Sequence, residues 1–327
     1  MPGVLEPNLW HWIVFIACVL VFLALDLGVF HRTAHVVRFR EALGWTAVWA
    51  SLALLFGLGL APQVIGGWTH RETVEFVTGY IVELSLSMDN VFVIALLFTY
   101  FRVPAQYQHR VLFWGILGAL VMRGLMILGG AELVSRFQWT LYLFGLFLVA
   151  TAIKMLLVED EGVAPERNPL LRLARKFFPV SAEFHGQRFT THLAGRRALT
   201  PLALVLVLVE STDLIFALDS IPAIFAITTE PFIVFTSNVF AILGLRSLYF
   251  VLAGAIAYFR YLKVGLALVL AFVGVKMLLD PHDAPRWGWQ TEISPGLSLA
   301  VVGAILLLAV ACSLVAAWRQ KRPNRTR

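Results

Sequence analysis

The chain has 327 residues, of which 59% are hydrophobic and only 14% charged, and it carries a net charge of +6. Soluble domains hold about 25% charged residues, so the composition excludes an ordinary soluble enzyme or binding module and indicates an integral membrane protein. The basic excess needs no nucleic acid to explain it: basic loops and a basic tail meet an anionic inner leaflet, and a charged solvated surface is the preferred reading.

Apolar stretches near the ~20 residues needed to cross a bilayer run over Trp10–Phe30, Ala42–Ala61, Glu75–Tyr100, Val111–Gly130, Trp139–Val158, Pro201–Thr228, Phe232–Tyr258, Tyr261–Leu279 and Pro295–Trp318. They predict an all-α membrane protein of about nine transmembrane helices, since the short alternating segments of a membrane barrel are absent. The chain divides into two amino-terminal spans (1–74), a three-helix unit (75–158), a loop (159–200), a second three-helix unit (201–280) and a last span with a basic tail (281–327).

No Lys or Arg precedes Trp10 and no small-residue cleavage site follows the first apolar run, so that span is expected to be retained. It carries Asp26, which reads either as an interfacial acid paired with Arg32 or as an accessory acid of a polar cavity. The second span has no ionisable group and reads as scaffold. Cys18 and Cys312 lie in apolar spans without pairing or metal-ligand spacing and are expected to be packing residues.

The third span holds Glu83-Leu84-Ser85-Leu86-Ser87-Met88-Asp89-Asn90, and the sixth holds a related copy, Asp213-Leu214-Ile215-Phe216-Ala217-Leu218-Asp219-Ser220. In each, an acid is followed six residues later by an aspartate and then a small polar residue. A charged acid at the centre of a membrane helix costs roughly 2.5 to 3.5 kcal/mol even on an insertion scale. A bound cation would offset that penalty.

The pattern continues in order. Arg123 and Lys154 follow the first cluster, Arg246 and Lys276 the second; Val-Met-Arg-Gly-Leu matches Gly-Leu-Arg-Ser-Leu, and Ala-Ile-Lys-Met-Leu-Leu matches Gly-Val-Lys-Met-Leu-Leu. Three spans separate equivalent helices, so the copies must run in opposite directions. This is the inverted three-helix repeat by which secondary transporters place a site near the midplane.

On a helix, Glu83, Ser87 and Asn90 share one stripe, as do Asp213, Ala217 and Ser220, whereas Asp89 and Asp219 are turned about 120° away. Bringing all four acids to one site would need a wide cavity or locally broken helices, and breaks near Ser85, Ser87 and Pro222 are expected. Glu83, Asp89, Asp213 and Asp219, with Asn90, Ser220 and more weakly Asn238, form an oxygen-only donor set that suits Mn(II), Ca(II) or Mg(II). Glu210 is an accessory acid or proton carrier one turn earlier. Arg123 and Arg246 are central enough to act as counter-ions or gates, while Lys154 and Lys276 are placed to snorkel. A purely structural buried ion network is the alternative. Gly115, Gly118, Gly129 and Gly130 are expected to permit close helix packing.

Nineteen of the 26 basic residues fall in connections on one side and three on the other. That asymmetry places the amino terminus outside and the carboxyl terminus in the cytosol. The loop from about Glu159 to Thr200 turns from acidic to basic, and Pro169 to Phe178 predicts a short amphipathic helix at the membrane surface.

Asp26-Leu27-Gly28-Val29-Phe30, the Glu83–Asn90 cluster, Phe177-Phe178-Pro179-Val180, His185-Gly186-Gln187-Arg188-Phe189 and Glu210-Ser-Thr-Asp213 through Asp219-Ser-Ile-Pro222 together resemble the TerC family of bacterial membrane proteins, over roughly Trp10 to Asp280. The resemblance implies a metal-ion transporter of the inner membrane, most often linked with Mn(II) export, with a historical association with tellurite resistance. It maps the family's acidic motif onto Glu83, Asp89, Asn90, Asp213, Asp219 and Ser220. Asp89 and Asp219 are then expected as direct ligands, with the metal as cargo and no permanent cofactor, and self-association is open. An intramembrane aspartyl hydrolase and a non-transporting membrane partner acting through the loop are the rivals; neither is favoured, and no enzymatic activity is expected.

Overall fold

The computed structural model describes residues 7–25, 39–157, 168–193, 195–253, 261–280 and 293–321. Among the described residues eleven α-helices follow in order: α1 (Leu9–Leu25), α2 (Phe39–Leu55), α3 (Ala61–Val64), α4 (His70–Tyr100), α5 (Ala105–Arg136), α6 (Thr140–Leu157), α7 (Pro169–Phe177), α8 (Pro201–Phe225), α9 (Pro231–Ala253), α10 (Leu262–Leu279) and α11 (Pro295–Lys321). A π turn over Phe56–Leu60 joins α2 to α3, and strands β1 (Thr190–Leu193) and β2 (Arg196–Leu199) form an antiparallel hairpin. Among the described residues, eight helices are long and apolar enough to cross a membrane, and the described part of the first apolar segment adds a shorter helix.

Local chemistry sets the helix starts. Thr69 and Glu72 form a capping box at the head of α4. Thr200 caps α8 with Pro201 in its first turn, and Asn168 caps α7 with Pro169 in the same place. Each proline there gives up an N–H that the helix would leave unpaired in any case.

Helices α4, α5, α8 and α9 form the centre. Helix α4 packs on α8 and α9, α5 on the same two, and α6 on α10; α2 and α11 lie outside them. The α6–α10 crossing is a backbone contact: a Cβ added to Gly274 would lie 2.9 Å from the Gly145 carbonyl oxygen, and one on Gly145 would lie 3.0 Å from that of Gly274. Small residues at membrane-helix contacts allow this approach. The turn between α8 and α9 is sunk into the protein, with Phe225, Ala226, Ile227, Thr228, Phe232 and Ile233 all buried.

Three expectations need correction. Helices α4 and α8 run unbroken through the acidic motifs, because Ser85 Oγ satisfies itself on the Ile81 carbonyl at 2.6 Å and Pro222 sits only in the last turn of α8. Lys276 does not reach the interface; it is buried at 1% exposure, within the electrostatic reach of Arg71 and Glu75 of α4. Cys18 and Cys312 are free and face outward, where hydrocarbon accepts a thiol as readily as a core does. The short helix expected over Pro169 to Phe178 is present as α7, and the same loop also holds the β1–β2 hairpin. Asp26 lies outside the described residues.

Candidate functional site

The site grows from one arginine. Arg123, near the middle of α5, is 2% exposed and reaches toward α4 and α8 together. Its Nε donates to Asp213 Oδ2 at 3.2 Å and its Nη2 to Asp213 Oδ1 at 3.0 Å, the two-pronged geometry that a planar guanidinium makes with a carboxylate. Nη1 donates to Glu83 Oε1 and, at 3.2 Å, to Ser220 Oγ. Asn90 Nδ2 also donates to Asp213 Oδ1, at 3.2 Å.

One buried cation therefore joins both copies of the acidic signature. Glu83, Asn90, Asp213 and Ser220 come together because they occupy the stripes that helical period assigns them, and α4 and α8 turn those stripes toward each other and toward α5. Burial follows the same split. Glu83, Ser87 and Asn90 are buried, while Asp89 is half-exposed.

Three oxygens along the α4 stripe have no hydrogen-bond partner in the protein: Glu83 Oε2, Ser87 Oγ and Asn90 Oδ1. Reversing the Asn90 amide would turn its oxygen onto the Asp213 carboxylate, so the orientation is fixed by charge. Buried acceptors without donors are costly, and three on one stripe form a row of hard oxygen donors. Among the described residues no three His, Cys, Asp or Glu side chains gather closely enough to hold a metal ion. A cation on this stripe would take one carboxylate oxygen, an amide oxygen and a hydroxyl from α4.

The remaining residues stand apart from Arg123. Asp219 accepts a hydrogen bond from Thr151 Oγ1 of α6 at 3.0 Å, within the electrostatic reach of Lys154. Asp89 is engaged in an interaction of its own on α4. Glu210 lies against α5, where a Cβ on Gly118 would collide with its carboxylate; that glycine makes room for a carboxylate as well as a helix. Gly115 and Gly130 likewise face Val209 and Phe225 of α8, whereas Gly129 has open space. Arg246 is buried on α9 and lines a small cavity with Leu23, Trp45 and Trp49 of α1 and α2. Asn238 Nδ2 is buried without a partner.

Spacing alone does not reveal Thr151. A hydroxyl three residues before Lys154 on an apolar helix was the available signal. Lys276, with no hydrogen-bond partner for Nζ, sits in the field of Asp280 and of the Arg71–Glu75 ion pair (2.9 Å), a second polar group away from Arg123 in which Arg71 is exposed and the others are buried.

The helices and their charged centre define a multi-pass, all-α integral membrane protein. The chain belongs to the TerC family: the description "Integral membrane protein TerC family" matches residues 68–324. It is 51% identical over 314 residues to "Uncharacterized membrane protein STKORF319" of Myxococcus xanthus, covering 96% of this chain and 94% of that one. It is 45% identical to the "Putative membrane-bound redox modulator Alx" of Photorhabdus laumondii, over 92% of this chain and 96% of the relative. The protein of the same name from Escherichia coli K12 is 43% identical over 100% of this chain and 99% of its own. No solved structure matches.

Proposed function

We propose that the protein carries a divalent cation, Mn(II) foremost, out across the inner membrane by alternating access of two inverted halves, and that it is a transporter and not an enzyme. The observation that carries this reading is the row of unpartnered oxygens from Glu83, Ser87 and Asn90 beside a buried arginine, inside helices long enough to span. Hard oxygen donors favour Mn(II), Ca(II) and Mg(II) over metals that seek His or Cys. Arg123 is the tethered cation with which a mobile ion competes for Glu83 and Asp213. Asp219 with Thr151, and Asp89 on the neighbouring face of α4, are further oxygen stations along the path, with Glu210 available to carry a proton. The packing lends support, since α4 on α9 and α5 on α8 are the matching contacts that a two-fold relation between the halves requires.

Ion uptake into proteoliposomes tests it, comparing Mn(II), Ca(II), Mg(II) and Zn(II) with and without a proton gradient. Glu83→Gln, Asp89→Asn and Asp219→Asn are each expected to slow Mn(II) uptake by about tenfold or more. Uptake equal to empty vesicles with every ion would overturn the reading.

The relatives' name favours a second reading, a redox role. Cys18 on α1 and Cys312 on α11 are this chain's two thiols, both free. A chain with both replaced by Ala keeps its cation uptake under the transport reading and loses its cellular effect if thiol chemistry is the function.

A further inference from the structure

Helix α7 carries two kinds of exposed side chain at once. Leu173 and Phe177 are 50% and 68% exposed, and Leu170 and Phe178 stand out beside them. Between these lie exposed Arg172, Arg175 and Lys176, with no acid in the helix. On its other side Leu171 is buried with Leu202, Val205 and Leu208 of α8, which fixes the helix against the bundle. The adjoining segment and hairpin add Arg188, Arg196 and Arg197, opposed by Glu183 as the one acid among described residues 168–200.

Water would not retain Leu170, Leu173, Phe177 and Phe178 exposed together without a partner, and the nine residues of α7 rise only about 14 Å, too little to cross a bilayer. A helix with apolar and basic side chains and no acid fits the boundary where acyl chains meet anionic headgroups. A neutral headgroup would leave the cationic side chains uncompensated.

The same helix is tied to the charged centre. Asn168 caps α7 by accepting from Leu170 N at 2.9 Å and Leu171 N at 3.2 Å, and its Nδ2 donates to Ser211 Oγ of α8 at 2.7 Å. Ser211 is buried, and Asp213, held by Arg123, follows two residues later. One side chain therefore both begins the surface helix and grips the helix that bears Asp213.

We propose that α7 is a recognition surface for anionic lipid headgroups, and that the Asn168–Ser211 hydrogen bond passes this contact to the Asp213 segment of α8. The inference stands apart from transport, because its readouts need no ion.

The full chain in nanodiscs of phosphatidylcholine alone or with phosphatidylglycerol supplies the test. Backbone amide exchange from Arg172 to Phe178 is expected to slow on the order of 125-fold in the anionic discs, about fivefold for each of Arg172, Arg175 and Lys176. Arg172→Gln, Arg175→Gln and Lys176→Gln together should erase that difference. Equal exchange of the parent chain in both discs overturns the lipid surface and leaves a protein partner as the occupant. For the coupling, a spin label at Leu214→Cys, with Cys18 and Cys312 replaced by Ala, should change its line shape with lipid charge. Ser211→Ala leaves the Asn168 cap of α7 in place but removes the hydroxyl that its Nδ2 grips on α8, and should abolish that response while α7 stays protected. A label that responds equally in Ser211→Ala overturns the coupling.

Discussion

At the residue scale, Arg123 decides how two acids survive in an apolar interior. Glu83 is fully buried and Asp213 nearly so, and both lean on this one guanidinium. Removing one partner of a buried ion pair leaves an uncompensated charge and costs about 3–5 kcal/mol. Arg123→Ala is therefore expected to lower the thermal unfolding temperature of the purified protein sharply. Adding Glu83→Gln and Asp213→Asn to it should recover most of the loss, because the stranded charges go with the arginine. If Arg123→Ala unfolds at the parent temperature, the cluster is not held as described. Lysine at this position would supply a point charge but no fork to span Asp213 while also reaching Glu83.

At the element scale, stability depends on how closely helices approach, and the glycines separate the cases. Gly274→Ala sets a methyl group against the Gly145 carbonyl, a backbone atom that cannot step aside, and is expected to destabilise by about 1–3 kcal/mol. Gly129→Ala meets nothing within 4 Å and should be neutral or slightly stabilising, since alanine is the better helix former. Thermal unfolding of the two variants side by side checks the contrast. The stripes of Glu83–Ser87–Asn90 and Asp213–Ser220 are legible in the sequence because helical period alone fixes them. What Asp219 or Lys276 touches is not legible: it depends on the rotation of one helix against another, which period leaves free. The β1–β2 hairpin is hidden for another reason, since strands of four residues in a polar loop carry too little alternation to announce themselves. The breaks expected near Ser85 and Pro222 came from asking every acid to face one site; the helices stay whole and divide the acids between neighbours instead.

At the scale of the whole molecule, the bundle is ordered by charge as much as by hydrocarbon. Basic connections lie overwhelmingly on one side of the chain's predicted path, which is the ground for expecting the carboxyl terminus in the cytosol. A fluorescent protein fused after Arg327 should fluoresce, and a periplasm-dependent phosphatase in its place should be inactive; the reverse pattern would invert every helix. The central helices α4, α5, α8 and α9 carry the polar centre, while α2 and α11 present mostly outward-facing apolar side chains, so loss of an outer helix and loss of a central one are different injuries.

The sunken turn between α8 and α9 sets a limit on where this protein can be handled. Most links between spanning helices are the places where an epitope or a protease site can be inserted, because the chain there already meets solvent. Here an insert between Ile227 and Thr228 would have to be accommodated among close-packed side chains, and the polypeptide would fail to assemble. The hairpin tip at Gly195, where φ is +77° and nothing stands within 4 Å, is the tolerant alternative.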